Sequence, residues 1–173
     1  MQLEKLGQLI YDLAKQEERD LAPLAPEGIF YMPELAFAYQ CGKAVMRDPA
    51  AIFGTDKVTW HRERDLGNGG PTDLLFELDD GRQLAIEFKL RSTSRAYQAD
   101  VNKLAQIDDG NCTKLFCALV DVFSKDLPDD GRQRHIEAMS TPQVTVVFKH
   151  EFATRQQRYA SAVSCVVALW QIH

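Results

Sequence analysis

The stretch PTDLLFELDDGRQLAIEFKL, residues 71–90, decides the fold. It reads as two apolar, alternating strands joined by Asp79-Asp80-Gly81, a hairpin signal. Side chains alternate across a strand, so Leu74, Phe76 and Leu78 share one face of the first strand, and Asp73, Leu75 and Glu77 share the other. On the second strand, Leu84, Ile86, Phe88 and Leu90 lie on one face, and Ala85, Glu87 and Lys89 on the opposite one. A two-residue turn at Asp80-Gly81 would pair odd positions with even ones and mix Asp73 into the apolar row. A three-residue loop, a type I turn closed by a left-handed Gly81, pairs odd with odd. It makes the apolar rows coincide and sets Asp73 opposite Glu87. Turn chemistry and hydrophobic pattern therefore agree on one register, with Asp73, Glu87 and Lys89 on one face and core on the other.

After the hairpin, serine and threonine punctuation at residues 92–94 leads into a helix over 95–107, with Val101, Leu104 and Ala105 on one side. Residues 114–123 (KLFCALVDVF) read as a buried strand, 125–131 as a loop, 132–139 as a short helix, and 143–149 and 162–170 as two more strands. Before the hairpin, Leu3, Leu6, Leu9, Ile10 and Leu13 mark an amphipathic helix that ends in the Pro23/Pro26 loop. Pro33 suits a first helical turn, and an Ala-rich helix follows over 34–45. Val58, Trp60 and Arg62 alternate as a strand, and Gly67, Gly69 and Gly70 form a loop. The predicted order is α, α, β, β, β, α, β, α, β, β: an α/β fold with a mixed sheet flanked by helices, antiparallel at its start and with a helical crossover in the middle. No repeat or linker divides the chain, so residues 1–173 are read as a single domain with its core at about 33–123.

Composition bounds the function. The 173 residues are 45% hydrophobic and 26% charged, close to the globular average, which excludes a disordered tail, a collagen-like fibre and a small disulfide scaffold. No run approaches the ~20 apolar residues of a spanning helix, so no membrane is expected. The first twenty residues mix charges with leucines and lack the apolar run of a secretion signal. Cys41, Cys112, Cys117 and Cys165 form no CxxC pair, and His61, His135, His150 and His173 show no metal spacing. The expectation is reduced thiols in a cytoplasmic protein with no zinc site. A net charge of −5 argues against a sequence-independent nucleic-acid coat protein. It leaves room for a nucleic-acid enzyme, whose cleft needs a positive lining only locally.

Two carboxylates as close as Asp73 and Glu87 repel unless a cation sits between them. Hard divalent ions take oxygen ligands from one or two carboxylates and keep several waters. A lysine beside such an ion can orient water or stabilise charge developing on phosphate oxygens. Asp73, a gap of thirteen, then Glu87-Phe88-Lys89 resembles the PD-(D/E)xK nuclease superfamily, the restriction-endonuclease-like fold. The resemblance runs over about residues 33–123 and includes the αβββαβ order and an acidic residue, Glu34, on the preceding helix. It implies an Mg²⁺ (or Mn²⁺) dependent nuclease that hydrolyses phosphodiester bonds in DNA, often as a dimer. By the resemblance Asp73 and Glu87 hold the metal, Lys89 assists the attacking water, and Glu34 joins through a second metal or a bound water. Two departures stand out: Pro71 lies two residues before Asp73 rather than beside it, and Gln98 is followed by Asn102 where the RecB-like branch has a tyrosine.

Other cations could contact phosphates: Arg91 and Arg95 just after the proposed site, Lys103 on the next helix, and a second set of Arg132, Arg134, His135, Arg155 and Arg158. Blander readings stand beside these. Glu87 and Lys89 could be a surface ion pair worth under about 1 kcal/mol. Asp73 could close a loop, Glu34 could simply complement a helix dipole, and each arginine could be solvated surface charge. The competing function is a catalytically inactive nuclease-fold module that binds nucleic acid or protein. A third is an interaction partner that pairs through an exposed apolar strand at 162–170.

Overall fold

The computed structural model describes residues 1–173, the side chain of Pro128 excepted. Its elements run α1 (Leu3–Leu21), a 3-10 turn (Gly28–Tyr31), α2 (Glu34–Val45), α3 (Pro49–Phe53), β1 (Val58–Asp65), β2 (Pro71–Leu78), β3 (Gln83–Leu90) and α4 (Ser94–Ala105). Then come β4 (Cys112–Phe123), a second 3-10 turn (Ser124–Asp129), α5 (Gly131–Glu137), β5 (Val144–Ala153) and β6 (Val163–Ile172). The six strands form one mixed sheet in the order β1-β2-β3-β4-β6-β5. β3 and β4 are parallel, joined by the α4 crossover, and every other neighbouring pair is antiparallel.

The β2–β3 hairpin has the register its sequence predicts. Leu75 faces Ala85 and Leu74 faces Ile86, so the next step of the same register sets Asp73 against Glu87. The turn is the expected three-residue loop. The Leu78 N–H donates to the Arg82 carbonyl at 2.9 Å, the Gly81 N–H returns to the Leu78 carbonyl at 3.0 Å, and Gly81 has φ 84°. An added Cβ at that φ would be strained, so glycine is what keeps odd paired with odd.

Both faces of the sheet are covered. Leu74, Phe76, Leu84, Ile86 and Phe88 join Leu115, Leu119 and Val167 under α1, α2 and α3, through Leu6, Ile10, Phe37 and Ile52. On the other side, Leu75 and Ala85 join Phe116, Ala118 and Trp170 under α4 and α5, through Tyr97, Val101, Leu104 and Ile136. The face that carries Asp73, Glu87 and Lys89 is thus a second core for most of its length. Central strands beside a helical crossover are covered on both sides, and the charged residues occupy only the ends of that row, Asp73, Glu87 and Lys89 at one and Glu77 at the other.

Several expectations are corrected. The segment at 162–170 is no exposed edge: β6 lies between β4 and β5, and Val163 through Trp170 are buried. An apolar run without polar alternation fits an interior strand better than an edge. Helix α3 was not anticipated although its signals are present: the Asp48 carboxylate caps it from 3.2 Å, Pro49 opens it, and Gly54 closes it at φ 77°. Part of the loop read at 125–131 is the second 3-10 turn. All four cysteines are buried, free thiols. Among the described residues, no helix is long and apolar enough to cross a membrane.

Candidate functional site

Strand pairing between β2 and β3 runs as far as Leu74 and Ile86, and there a side chain takes over from the backbone. Asp73 Oδ2 accepts the Phe88 N–H at 2.8 Å. This bond fixes the aspartate carboxyl beside Glu87, whose residue is only 3% exposed. Lys103 comes down from α4 to meet the glutamate. Its Nζ lies 2.7 Å from Glu87 Oε1 and donates to the Pro71 carbonyl at 2.7 Å. The buried Asn68 amide in turn donates to the Lys103 carbonyl at 3.1 Å, tying the glycine-rich loop to the end of the helix.

Two residues along β3, Lys89 Nζ sits 3.0 Å from Glu34 Oε1 and 3.1 Å from Asp100 Oδ2. Glu34 is the first residue of α2, and its other oxygen accepts the Leu90 N–H at 2.9 Å. The Thr93 hydroxyl caps α4 and fixes where it starts. Asp100 and Lys103, three apart, then project on neighbouring turns toward the strand ends. Asp100 was not singled out from sequence. Its signal was its place beside the buried Tyr97, Val101 and Leu104 stripe, one turn from a lysine.

The cluster therefore holds four carboxylates, Glu34, Asp73, Glu87 and Asp100, against two ammonium groups, Lys89 and Lys103. Two negative charges are in excess, and the acids respond as physics requires. Burial pushes Glu87 up to about 7; Lys103 opposes this and Asp73 adds to it. Burial also raises Asp73, with the Phe88 N–H pulling down and Glu34 pushing up. Asp100 is raised by burial against the pull of Lys89. Burial works against the Lys89 ammonium, but Glu34 and Asp100 outweigh it and hold its pKa above the usual lysine value. Lys89 is thus a fixed cation at neutral pH and cannot accept a proton. Glu87 is the group poised to exchange one.

A second charged cluster lies where the chain leaves β3. Arg91, at φ 50°, turns its guanidinium over the end of β4, with Nε 3.1 Å from Asp121 Oδ2 and Nη2 donating to the Tyr159 hydroxyl at 3.0 Å. Arg132 is shared between Asp121 Oδ1 at 2.7 Å and Asp130 Oδ2 at 3.0 Å. Of the three cations read as phosphate contacts, Lys103 and Arg91 are therefore committed to internal partners. Arg95 is exposed and makes no ion pair among the described residues. The second basic set is largely balanced too, with Arg132 on two aspartates, Arg134 on Asp129 and Arg158 on Glu27.

Among the described residues, no three His, Cys, Asp or Glu side chains converge as a ready-made metal cage. Both Glu34 oxygens are engaged by Lys89 and the Leu90 amide, so Glu34 positions the lysine in this arrangement. The donor chemistry still fits one hard divalent ion: two adjacent carboxylates, Asp73 and Glu87, in a site short of two positive charges, with water completing the shell. Comparison of the chain with family models, with curated proteins and with solved structures finds no match.

Proposed function

We propose that this protein is a divalent-metal-dependent nuclease of the PD-(D/E)xK kind that hydrolyses phosphodiester bonds in DNA. The observation that carries the reading is the adjacent pair Asp73 and Glu87, in a four-carboxylate cluster left two positive charges short, with the fixed cation Lys89 two residues further on. The order αβββαβ from α2 through β4, with the short α3 added before β1 and with Glu87 in the carboxyl half of the parallel strand β3, supports it as well. Asp73 and Glu87 would hold Mg²⁺ or Mn²⁺, which when bound supplies positive charge to the phosphate and acidity to water. Lys103 pairs with Glu87 and offsets part of its charge. Glu34 and Asp100 hold Lys89 charged at the strand end, where its ammonium can donate to a phosphate oxygen and orient the attacking water. Glu87 must shed its proton to bind a cation, so metal affinity should climb as pH passes about 7.

The test is cleavage of supercoiled, linear and single-stranded DNA with and without Mg²⁺, beside a Lys89→Ala protein. The reading expects metal-dependent cleavage that falls at least about a hundredfold in the variant, the size of losing one preorganised donor. Equal activity in both proteins would move the chemistry elsewhere. A second reading, an inactive module of the same fold that binds nucleic acid or protein, is favoured by the pairing of both lysines with internal carboxylates. Absence of cleavage together with absence of Mg²⁺ binding by calorimetry would select it.

A further inference from the structure

A recess of about 430 Å³ opens at the end of β4, lined by Asp121, Phe123, Asp126, Asp130, Arg132 and Tyr159. It shares the edge of the sheet that carries Lys89. Lys89 pairs with Ala118 and Leu90 with Leu119, so Asp121 stands on the adjacent strand a short step beyond, with Arg91 bridging the gap. The carboxyl ends of parallel strands are where open α/β sheets take their ligands.

The lining is specific about what it could accept. Arg132 is saturated by Asp121 and Asp130, and Asp126 makes no ion pair among the described residues, so a phosphate would meet no free cation there. The wall is two aromatic rings, Phe123 and Tyr159, edge to face with centroids 5.7 Å apart and each residue 39% exposed. The loop that presents Tyr159 is braced rather than left to solvent. Gln156 accepts the Tyr159 N–H at 2.9 Å and donates back to its carbonyl at 3.3 Å, and Arg91 donates to the hydroxyl. On the same loop the Gln157 N–H donates to the Pro26 carbonyl at 2.7 Å, and the Arg155 N–H to the buried Glu18 at 2.6 Å. An exposed ring held this firmly is preorganised to stack, and a nearby carboxylate can accept from an N–H donor.

We propose that this recess receives an unstacked nucleobase of the strand being cut, stacked on the Phe123–Tyr159 wall with Asp126 as acceptor for its amino or ring N–H. The inference rests on the nuclease reading and narrows its substrate to single-stranded or frayed DNA, since a base within a duplex cannot enter. The test compares the binding of two short phosphorothioate strands of equal length in Mg²⁺, one of normal nucleotides and one wholly abasic, by fluorescence anisotropy. Cleavage of ordinary DNA is followed in the same preparations.

Stacking of one base predicts that the wild-type protein favours the normal strand by about tenfold. Tyr159→Ala should erase that preference, and Tyr159→Phe, which keeps the ring, should retain it. Equal binding of both strands by the wild-type protein overturns the base site, and continued Mg²⁺-dependent cleavage would show that the nuclease reading survives. Binding of neither strand with cleavage present also overturns the base site alone. Binding of neither with cleavage absent overturns both. A preference that persists in Tyr159→Ala would remove the aromatic wall from the proposal and overturn it.

Discussion

Two charged clusters lie side by side at the ends of β3 and β4, and they are balanced differently. Around Asp121, two guanidinium groups meet two carboxylates, and Arg132 reaches both acids at once. Burial alone would raise Asp130, but Arg132 and two backbone N–H groups overcome it and hold the carboxyl below its usual range. Around Glu87, two ammonium groups face four carboxylates, and Glu87, Asp73 and Asp100 are all pushed up. The forked, permanently charged guanidinium closes its cluster geometrically and electrically, whereas the lysines are point charges too few for their partners. The first cluster is complete as it stands, and the second is stabilised further by a proton or a cation.

The two clusters differ most at the acids. Glu87→Gln is expected to lower Mg²⁺-dependent cleavage by at least about a hundredfold and to weaken Mg²⁺ binding in calorimetry. An active Glu87→Gln protein would mean that the uncompensated pair is not a cation site. In the balanced cluster Arg132→Ala should act on stability. It leaves Asp121 and Asp130 half-buried without their shared partner, a loss of about 2 kcal/mol, somewhat under the cost of breaking a fully buried pair. The thermal midpoint should fall by roughly 5 °C or more for a chain of this size, and Mg²⁺ should not restore it. Rescue of Arg132→Ala by Mg²⁺ would show that the two clusters are not distinct. A milder probe is Mg²⁺ itself: millimolar Mg²⁺ should raise the midpoint of the wild-type protein by a few degrees through mass action, and should leave a Glu87→Gln protein almost unmoved.

Much of the acid site was legible in the sequence because it rests on strand parity and a single turn. Gly81 sets the register, the register sets Asp73 against Glu87, and Lys89 follows from alternation. Asp100 was not legible, because its place depends on how the α4 crossover lies on the sheet, a tertiary fact that the helical period alone does not fix. For the same reason Lys103 and Arg91 read as outward cations although both turn inward. The positive φ of Arg91, which redirects its side chain toward β4, leaves no trace in residue type. Strand β6 was recognised as apolar but placed at an edge, since strand order follows from packing and not from the strand's own residues. The Tyr159 loop had no periodic signal at all, and its bracing appears only once Gln156, Arg91 and Glu18 are brought together.

The smallest expected effect, and the one that separates proton from metal, is the pH dependence of stability without divalent ions. Glu87 titrates near 7 in the native state and at its ordinary 4.5 once unfolded. Between those values the native protein holds a proton that the unfolded chain has released, so this group favours folding increasingly as pH falls from above 7 toward 4.5. Asp73 and Asp100 are shifted the same way and add to the trend from lower pH. Asp130 has the opposite sign, but its pKa lies below 3.8 and its contribution is lost only in stronger acid. In EDTA the thermal midpoint should therefore rise by about a few degrees between pH 8 and pH 5.5. Glu87→Gln, which is neutral throughout, should lose the part of that rise centred near pH 7. Saturating Mg²⁺ should flatten the slope in the wild-type protein, since a cation held by Glu87 competes with the proton. A midpoint that falls steadily from pH 8 to 5.5 in EDTA would mean that the acids are already compensated, and the contrast between the two clusters would collapse.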